Sequence, residues 1–271
     1  MPPPTPVAAP RMPRVIGRVH WLGFATLLRR ELGRYFSFWR VSIAGPAFAQ
    51  LLFLLIFALA LGPERSTAAG AAVLPFIAPG LLMFAIMQRS AESCTFSLIF
   101  DKLEGVIGDV LTTPLVPTEI AAGYAISGAM SGLITGLPIL TGIVLFFGFP
   151  IAQPWLALVV AMAGALMMAS FGTLAGLWAE RFDHVAAVFA FFIVPLGFMS
   201  GLFVPIDALP DPVRTVVQFN PLFYAIDAFR GAVLGIHSAP FALSLTVMAA
   251  TTVALWTAAD RLIASGYKIK A

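Results

Sequence analysis

Long uncharged runs, separated by short polar stretches, dominate the chain. The run 41–62 carries no charge at all, and seven arginines precede it (Arg11, Arg14, Arg18, Arg29, Arg30, Arg34 and Arg40). A helical crossing of a bilayer needs about 20 apolar residues. Six segments reach that length: 41–61, 73–99, 120–147, 154–178, 185–204 and 240–259. The pattern predicts an all-α polytopic membrane protein with six transmembrane helices, the membrane domain running over 41–260.

Three further elements follow from the pattern between the runs. Before the first span, Trp21, Phe24, Ala25, Leu28, Leu32, Tyr35, Phe36 and Trp39 recur at steps of three and four, with Arg29, Arg30 and Arg34 mostly on other faces. That spacing predicts an amphipathic helix over 18–40 lying in the membrane interface. Between spans 2 and 3, Leu103, Val106, Ile107, Val110 and Leu111 recur at helical spacing among Asp101, Lys102, Glu104 and Asp109. This predicts a short amphipathic helix over 100–113, stopped at Thr113 by Pro114. It reads either as a plain connector or as a lever that docks into a soluble partner. After span 5, Asp211-Pro212 predicts a helix start with Asp211 as N-cap, and Asn220-Pro221 a second start. Two short helices within 205–235 would dip into the membrane, as a surface cap or as a re-entrant gate.

Composition removes whole classes of function. Charged residues make up 11% of the chain, against about 25% in soluble domains. Six spans leave no room for a separate soluble domain. The net charge of +3 does not point to nucleic acid. It follows from basic loops: with the N-terminus inside, the inner side holds the seven arginines above with Lys102, Arg181, Arg261, Lys268 and Lys270, and the outer side only Arg65, Arg214 and Arg230. This bias places both termini in the cytoplasm. The Pro-rich start lacks an apolar core and is no secretory signal; residues 1–17 read as a disordered cytoplasmic tail, and 261–271 as a second, short one. One cysteine, Cys94, excludes an intramolecular disulfide.

No catalytic constellation emerges. His20, His184 and His237 stand apart, and no G-x-S-x-G elbow occurs. A P-loop needs Gly-Lys followed by Ser or Thr, and no lysine here follows a glycine. Any ATP must therefore be bound by another chain. Polar groups within spans are few: Gln50 in span 1, and Gln88, Arg89 and Glu92 in span 2. Arg89 and Glu92, three apart, share a helix face. They read either as a self-neutralising pair or as the lining of a substrate path, where Arg89 would meet an anionic headgroup. Glycines at four-residue steps (Gly128, Gly132, Gly136; Gly172, Gly176; Gly197, Gly201) read as close helix packing. Pro79, Pro138 and Pro195 are candidate kinks.

Two stretches resemble a known family. Glu104-Gly105 followed by Leu111-Thr112-Thr113-Pro114-Leu115 looks like the coupling-helix region of the ABC-2 type transport permeases, which include exporters of nodulation factors, drugs and polysaccharides. Ser200-Gly201-Leu202-Phe203, Pro205, Leu209-Pro210 and Asn220-Pro221-Leu222-Phe223-Tyr224-Ala225, with Asp227 and Arg230, looks like that family's outer-loop signature. One acid common after the Glu-Gly pair is here Gly108, with Asp109 beside it. The resemblance implies a six-span, type V exporter-like permease in a bacterial inner membrane. It implies a pairing with a second copy and with two ATP-binding subunits, which hold the ATP and magnesium while this chain binds no cofactor and catalyses nothing. It implies ATPase coupling through Asp101, Lys102, Glu104, Gly105, Asp109, Leu111 and Pro114. It also implies an outer gate at Pro205, Asn220, Pro221, Tyr224, Asp227 and Arg230. The apolar spans suit an amphipathic or lipid-linked substrate. Two other classes stay open at this point. An ion-coupled secondary transporter would show ionisable residues and inverted repeats at the midplane. A membrane enzyme would need a polar cluster at one interface.

Overall fold

A computed structural model describes residues 20–61, 73–148 and 151–267, with backbone alone for Leu61 and Leu111. The expected disordered tail (1–17), the loop 62–72 and the last four residues lie outside that range. Among the described residues no strand forms, and five helices are long and apolar enough to cross a membrane.

In chain order, α1 (Trp21–Ser37) leads through a π-helical turn (Arg40–Ala44) into α2 (Gly45–Leu61). Then come α3 (Val73–Leu103), α4 (Ile107–Thr112), α5 (Pro117–Phe147) and α6 (Pro154–Trp178). After them lie α7 (Phe182–Val188), a π-helical turn (Phe189–Ile193), α8 (Val194–Phe198), α9 (Asp211–Gln218), α10 (Pro221–Leu234) and α11 (Phe241–Ser265). The α6 bounds coincide with the expected span, and α11 runs six residues past it, into the stretch expected as a tail.

The centre of the bundle is α3, packed against α5, α6 and α10. Its 31 residues rise about 46 Å, well beyond the ~30 Å hydrocarbon core. Asp101 and Lys102 stand at its carboxyl end. Glycines let the neighbours approach: a Cβ on Gly132 would lie 2.0 Å from Ser90 Oγ and 2.4 Å from the Ile86 carbonyl oxygen. On Gly172 it would lie 2.2 Å from the Ala91 carbonyl oxygen. The glycine steps of α5 and α6 are thus packing surfaces, as their spacing suggests, whereas Gly201, read as the partner of Gly197, lies at φ 69° in the turns beyond residue 198. Pro79 and Pro138 sit inside unbroken α3 and α5.

Three expectations need correction. The fifth segment is an interrupted helix: Phe182–Phe198 holds 17 residues, about 25 Å, with its π turn in the middle and Pro195 opening the final turn. Residues 199–204 continue it as turns and bends, not helix. The amphipathic helix expected over 100–113 is not continuous either. α3 runs on to Leu103, and Gly105 at φ 74° turns the chain, a conformation glycine adopts without the Cβ penalty. Only six residues then form α4. Finally, Pro210 and not Asp211 occupies the N-cap of α9; Asp211 is its first helical residue.

Candidate functional site

The predicted site residues fall into three places along α3: its carboxyl end beside α4, its middle, and its amino end beside α10.

At the carboxyl end the expected docking set divides. Glu104, Gly105, Asp109 and Pro114 are exposed on and around α4. The side chain of Leu111 lies outside the described residues. Asp101 is fully buried: its carboxylate accepts from Arg30 Nη2 (2.6 Å), Arg34 Nη2 (2.7 Å) and the Tyr124 hydroxyl (2.7 Å). The Lys102 ammonium turns to the end of α6, donating to the carbonyls of Gly176 (3.0 Å), Leu177 and Ala179 (3.1 Å). Those are carbonyls a helix end leaves without partners, and a cation there also complements the helix dipole. Asp101 and Lys102 thus bind the protein to itself; their place in a docking surface is withdrawn.

The partners of Asp101 come from α1 and give that helix a second face, turned into the protein. Its buried side is Leu27, Glu31 and Tyr35, at steps of four. Arg30 pairs with Glu31 (2.7 Å) as well as with Asp101, and Glu31 also accepts from Ser97. Arg34 Nη1 reaches Ser97 Oγ at 2.8 Å. The Tyr35 hydroxyl meets Thr135, and donates to the Ser42 carbonyl at 3.0 Å. Arg30 and Arg34, off the apolar face as their spacing suggests, therefore point into the protein, while Trp21, Phe36 and Trp39 stay exposed. Burial works against the Arg30 charge, but Tyr124, Glu31 and Asp101 outweigh it and hold the guanidinium above its ordinary value. Glu31, Ser97 and Tyr124 went unnoticed in the sequence. The usable signal was Glu31 itself, an acid centred between Leu27 and Tyr35 on one stripe. A cleft of about 330 Å³ opens between α1 and α4, lined among others by His20, Leu27, Arg30, Asp109, Val110 and Pro114.

In the middle of α3, the accessible positions from 85 to 100 (85, 88, 89, 92, 93, 96 and 100) form a single stripe on an otherwise buried helix. Arg89 Nη1 lies 2.9 Å from Glu92 Oε2, and Gln88 Nε2 donates to Glu92 Oε1 at 2.8 Å. The three candidate path residues are thus one network. Toward α4, the stripe is continued by Phe96 and Phe100, with Phe182 of α7 packed on both rings. Gln50 is elsewhere, its amide donating to the Leu81 carbonyl at 3.2 Å, a tie between α2 and α3.

At the amino end, the expected gate residues are anchors. Arg230 is buried and donates to the carbonyls of Phe76 (3.1 Å), Gly201 (3.0 Å) and Leu202 (3.4 Å), with its guanidinium 3.7 Å from the centre of the Phe76 ring. Asp227 accepts from the backbone N–H groups of Ser238 (3.0 Å) and Ala239 (2.9 Å). Asn220 caps α10 by accepting from Leu222 N (3.0 Å), and its amide donates to the Leu196 carbonyl (2.7 Å) and Ser200 Oγ (2.9 Å). Pro221 opens α10, buried Pro205 precedes the turn Ile206–Ala208, and the Tyr224 hydroxyl donates to the Gln218 carbonyl at 2.9 Å. Asn220 and Arg230 tie α10 to α8, the Gly201 turn and α3, and Asp227 ties it to the start of α11.

Comparison with known proteins agrees with this architecture. An inner membrane transport permease of Escherichia coli K12, YadH, is 26% identical over 249 residues, which is 92% of this chain and 97% of the relative. Nodulation protein J of Rhizobium leguminosarum bv. viciae is 26% identical over 238 residues, covering 86% and 89% of the two chains. Nodulation protein J of Rhizobium meliloti is 24% identical over 200 residues, covering 72% and 74%. The family model of the ABC-2 type transporter matches residues 23–234, from α1 to the last residue of α10, so both the α4 region and the Asn220–Arg230 anchors lie inside it, and the chain belongs to the ABC-2 type transporter family as a multi-pass membrane permease.

Proposed function

We propose that this chain is the transmembrane subunit of an ATP-driven exporter that moves an amphipathic or lipid-linked substrate outward. ATP is hydrolysed by a separate subunit that grips α4. Two permease copies and two ATPase subunits make the working assembly. Both chain termini lie in the cytoplasm. The Phe182–Phe198 segment, with the residues up to 204, provides the sixth crossing that this even topology needs.

The observation that carries this reading is the placement of α4. It is a short helix set off by the Gly105 turn, exposed through Glu104, Asp109 and Pro114, at the end of a helix whose other faces are buried. A force on α4 reaches α3 through three residues of chain, and α3 is held to α1, α5 and α6 by Asp101 and Lys102. The relatives named as transport permeases support the same reading.

Affinity purification of the full chain from its native membrane tests it. A P-loop ATPase should co-purify, and the double charge reversal Glu104→Lys with Asp109→Lys should remove it while the permease stays folded. Retention of the ATPase by that variant would refute docking at α4. Thiol labelling from outside of a cysteine placed after Ser265 would refute the topology.

A further inference from the structure

Of the two readings of Arg89, a self-neutralising pair with Glu92 or a path lining that meets an anionic headgroup, the geometry favours the first. Arg89 lies inside α3, 16 residues from the first residue of the helix and 14 from the last, on the accessible stripe. Its side chain is 28% exposed and that of Glu92 12%. A charge at such depth is tolerated when it is paired or faces a polar space. Here it is paired, at 2.9 Å, and Gln88 holds the second Glu92 oxygen. The network carries no net charge. A net-negative head, whose phosphate or carboxylate brings no cation of its own, would on taking Arg89 displace Glu92 and leave a carboxylate buried without its counter-charge. A head without net charge meets no such penalty. Arg89 has five N–H donors, more than even a bidentate pair with one carboxylate takes up, so it can still hydrogen-bond a neutral or zwitterionic group.

We infer that Glu92 is a specificity-determining residue: by neutralising Arg89 it excludes amphiphiles with net negative heads from the α3 stripe and admits zwitterionic or uncharged ones. This rests on the proposal that the stripe lines the substrate path. The aromatic rings of Phe96 and Phe100 on the same stripe supply the apolar contact for the tail of such a molecule.

Binding needs neither the ATPase nor a transport assay. Purified full-length chain is titrated with two fluorescent lipids of identical acyl chains, one a phosphatidylcholine and the other a phosphatidylglycerol. The wild type should prefer the zwitterionic probe. Glu92→Gln, close in shape and able to keep a Gln88 contact, should shift the ratio of dissociation constants toward the anionic probe by about tenfold, because Arg89 is then unpaired. The double variant Arg89→Gln with Glu92→Gln leaves no unpaired charge in the membrane and should discriminate little. It also keeps the question open to test should the single variant fold poorly, since loss of the wild-type preference there still supports the assignment. A wild-type preference for the anionic probe, or an unchanged ratio in both variants, overturns it. Failure of the wild type to bind either probe removes the stripe from the substrate path and takes this inference with it.

Discussion

Lys102 aside, the inward-facing charges at the α4 end of the bundle meet other charges, whereas the buried ones at the α10 end meet backbone dipoles. Arg30, Glu31, Arg34 and Asp101 neutralise one another across α1 and α3. Arg230 and Asp227 stand three residues apart on α10, yet each is satisfied by main-chain groups of other segments. The two solutions break differently. Removing one member of a charge set leaves its partner uncompensated. Removing a charge that caps the backbone frees only carbonyls or amides, each costing less.

The largest effect should come from Asp101→Asn. Two guanidiniums lose their shared carboxylate, and about 3 kcal/mol of stability should go, the low end for a broken buried pair because Arg30 and Arg34 keep 31% and 30% exposure. Chemical denaturation in detergent micelles reads this directly; a loss below 1 kcal/mol would mean that the α4 end does not depend on charge pairing. Arg230→Gln should cost about 2 kcal/mol, the worth of charge-assisted bonds to carbonyls. Hydrogen exchange should locate the damage at Gly201–Leu202 and leave α1 protected; faster exchange in α1 would show the two ends to be one unit. A pair of double-mutant cycles sharpens the contrast. Asp101→Asn with Arg34→Gln should show a coupling of about 1 kcal/mol or more, and Asp227→Asn with Arg230→Gln about 0.5 kcal/mol or less. Equal couplings would erase the distinction. Smallest, Asn220→Ala should cost about 1 kcal/mol for the lost cap, seen as a modest drop in midpoint with no change in α1 exchange.

The spans were legible because hydrophobic length is a local property. Residues 154–178 and the start of α3 at Val73 follow from apolar runs and their proline or polar borders. The same logic failed inside the fifth run. Its apolar residues hide a π turn, because hydropathy counts side chains and says nothing of the hydrogen-bond register beneath them. The α4 end was misjudged for a different reason. Asp101 and Lys102 read as solvated faces of a loop helix, but their partners lie about 70 residues away in either direction, in α1 and at the end of α6. No pattern within a helical window records such a pairing. The α10 anchors were legible as residues, but not the hydrogen bonds they make. Asn220-Pro221, Asp227 and Arg230 stood out as a signature, but a signature does not say whether a side chain faces a passage or a carbonyl.

The inward turn of α1 alters how this helix is kept at the membrane. Of Arg29, Arg30, Arg34 and Arg40, two are consumed by carboxylates inside the bundle, and only Arg29 and Arg40 remain exposed. Attraction to acidic phospholipids is worth about 1 kcal/mol per surface cation, so it supplies about 2 kcal/mol here and fades as counterions screen it. High ionic strength should therefore leave α1 seated. It is bolted to the permease rather than floating on the leaflet, and a change in the lipid charge of the host membrane has little leverage over it.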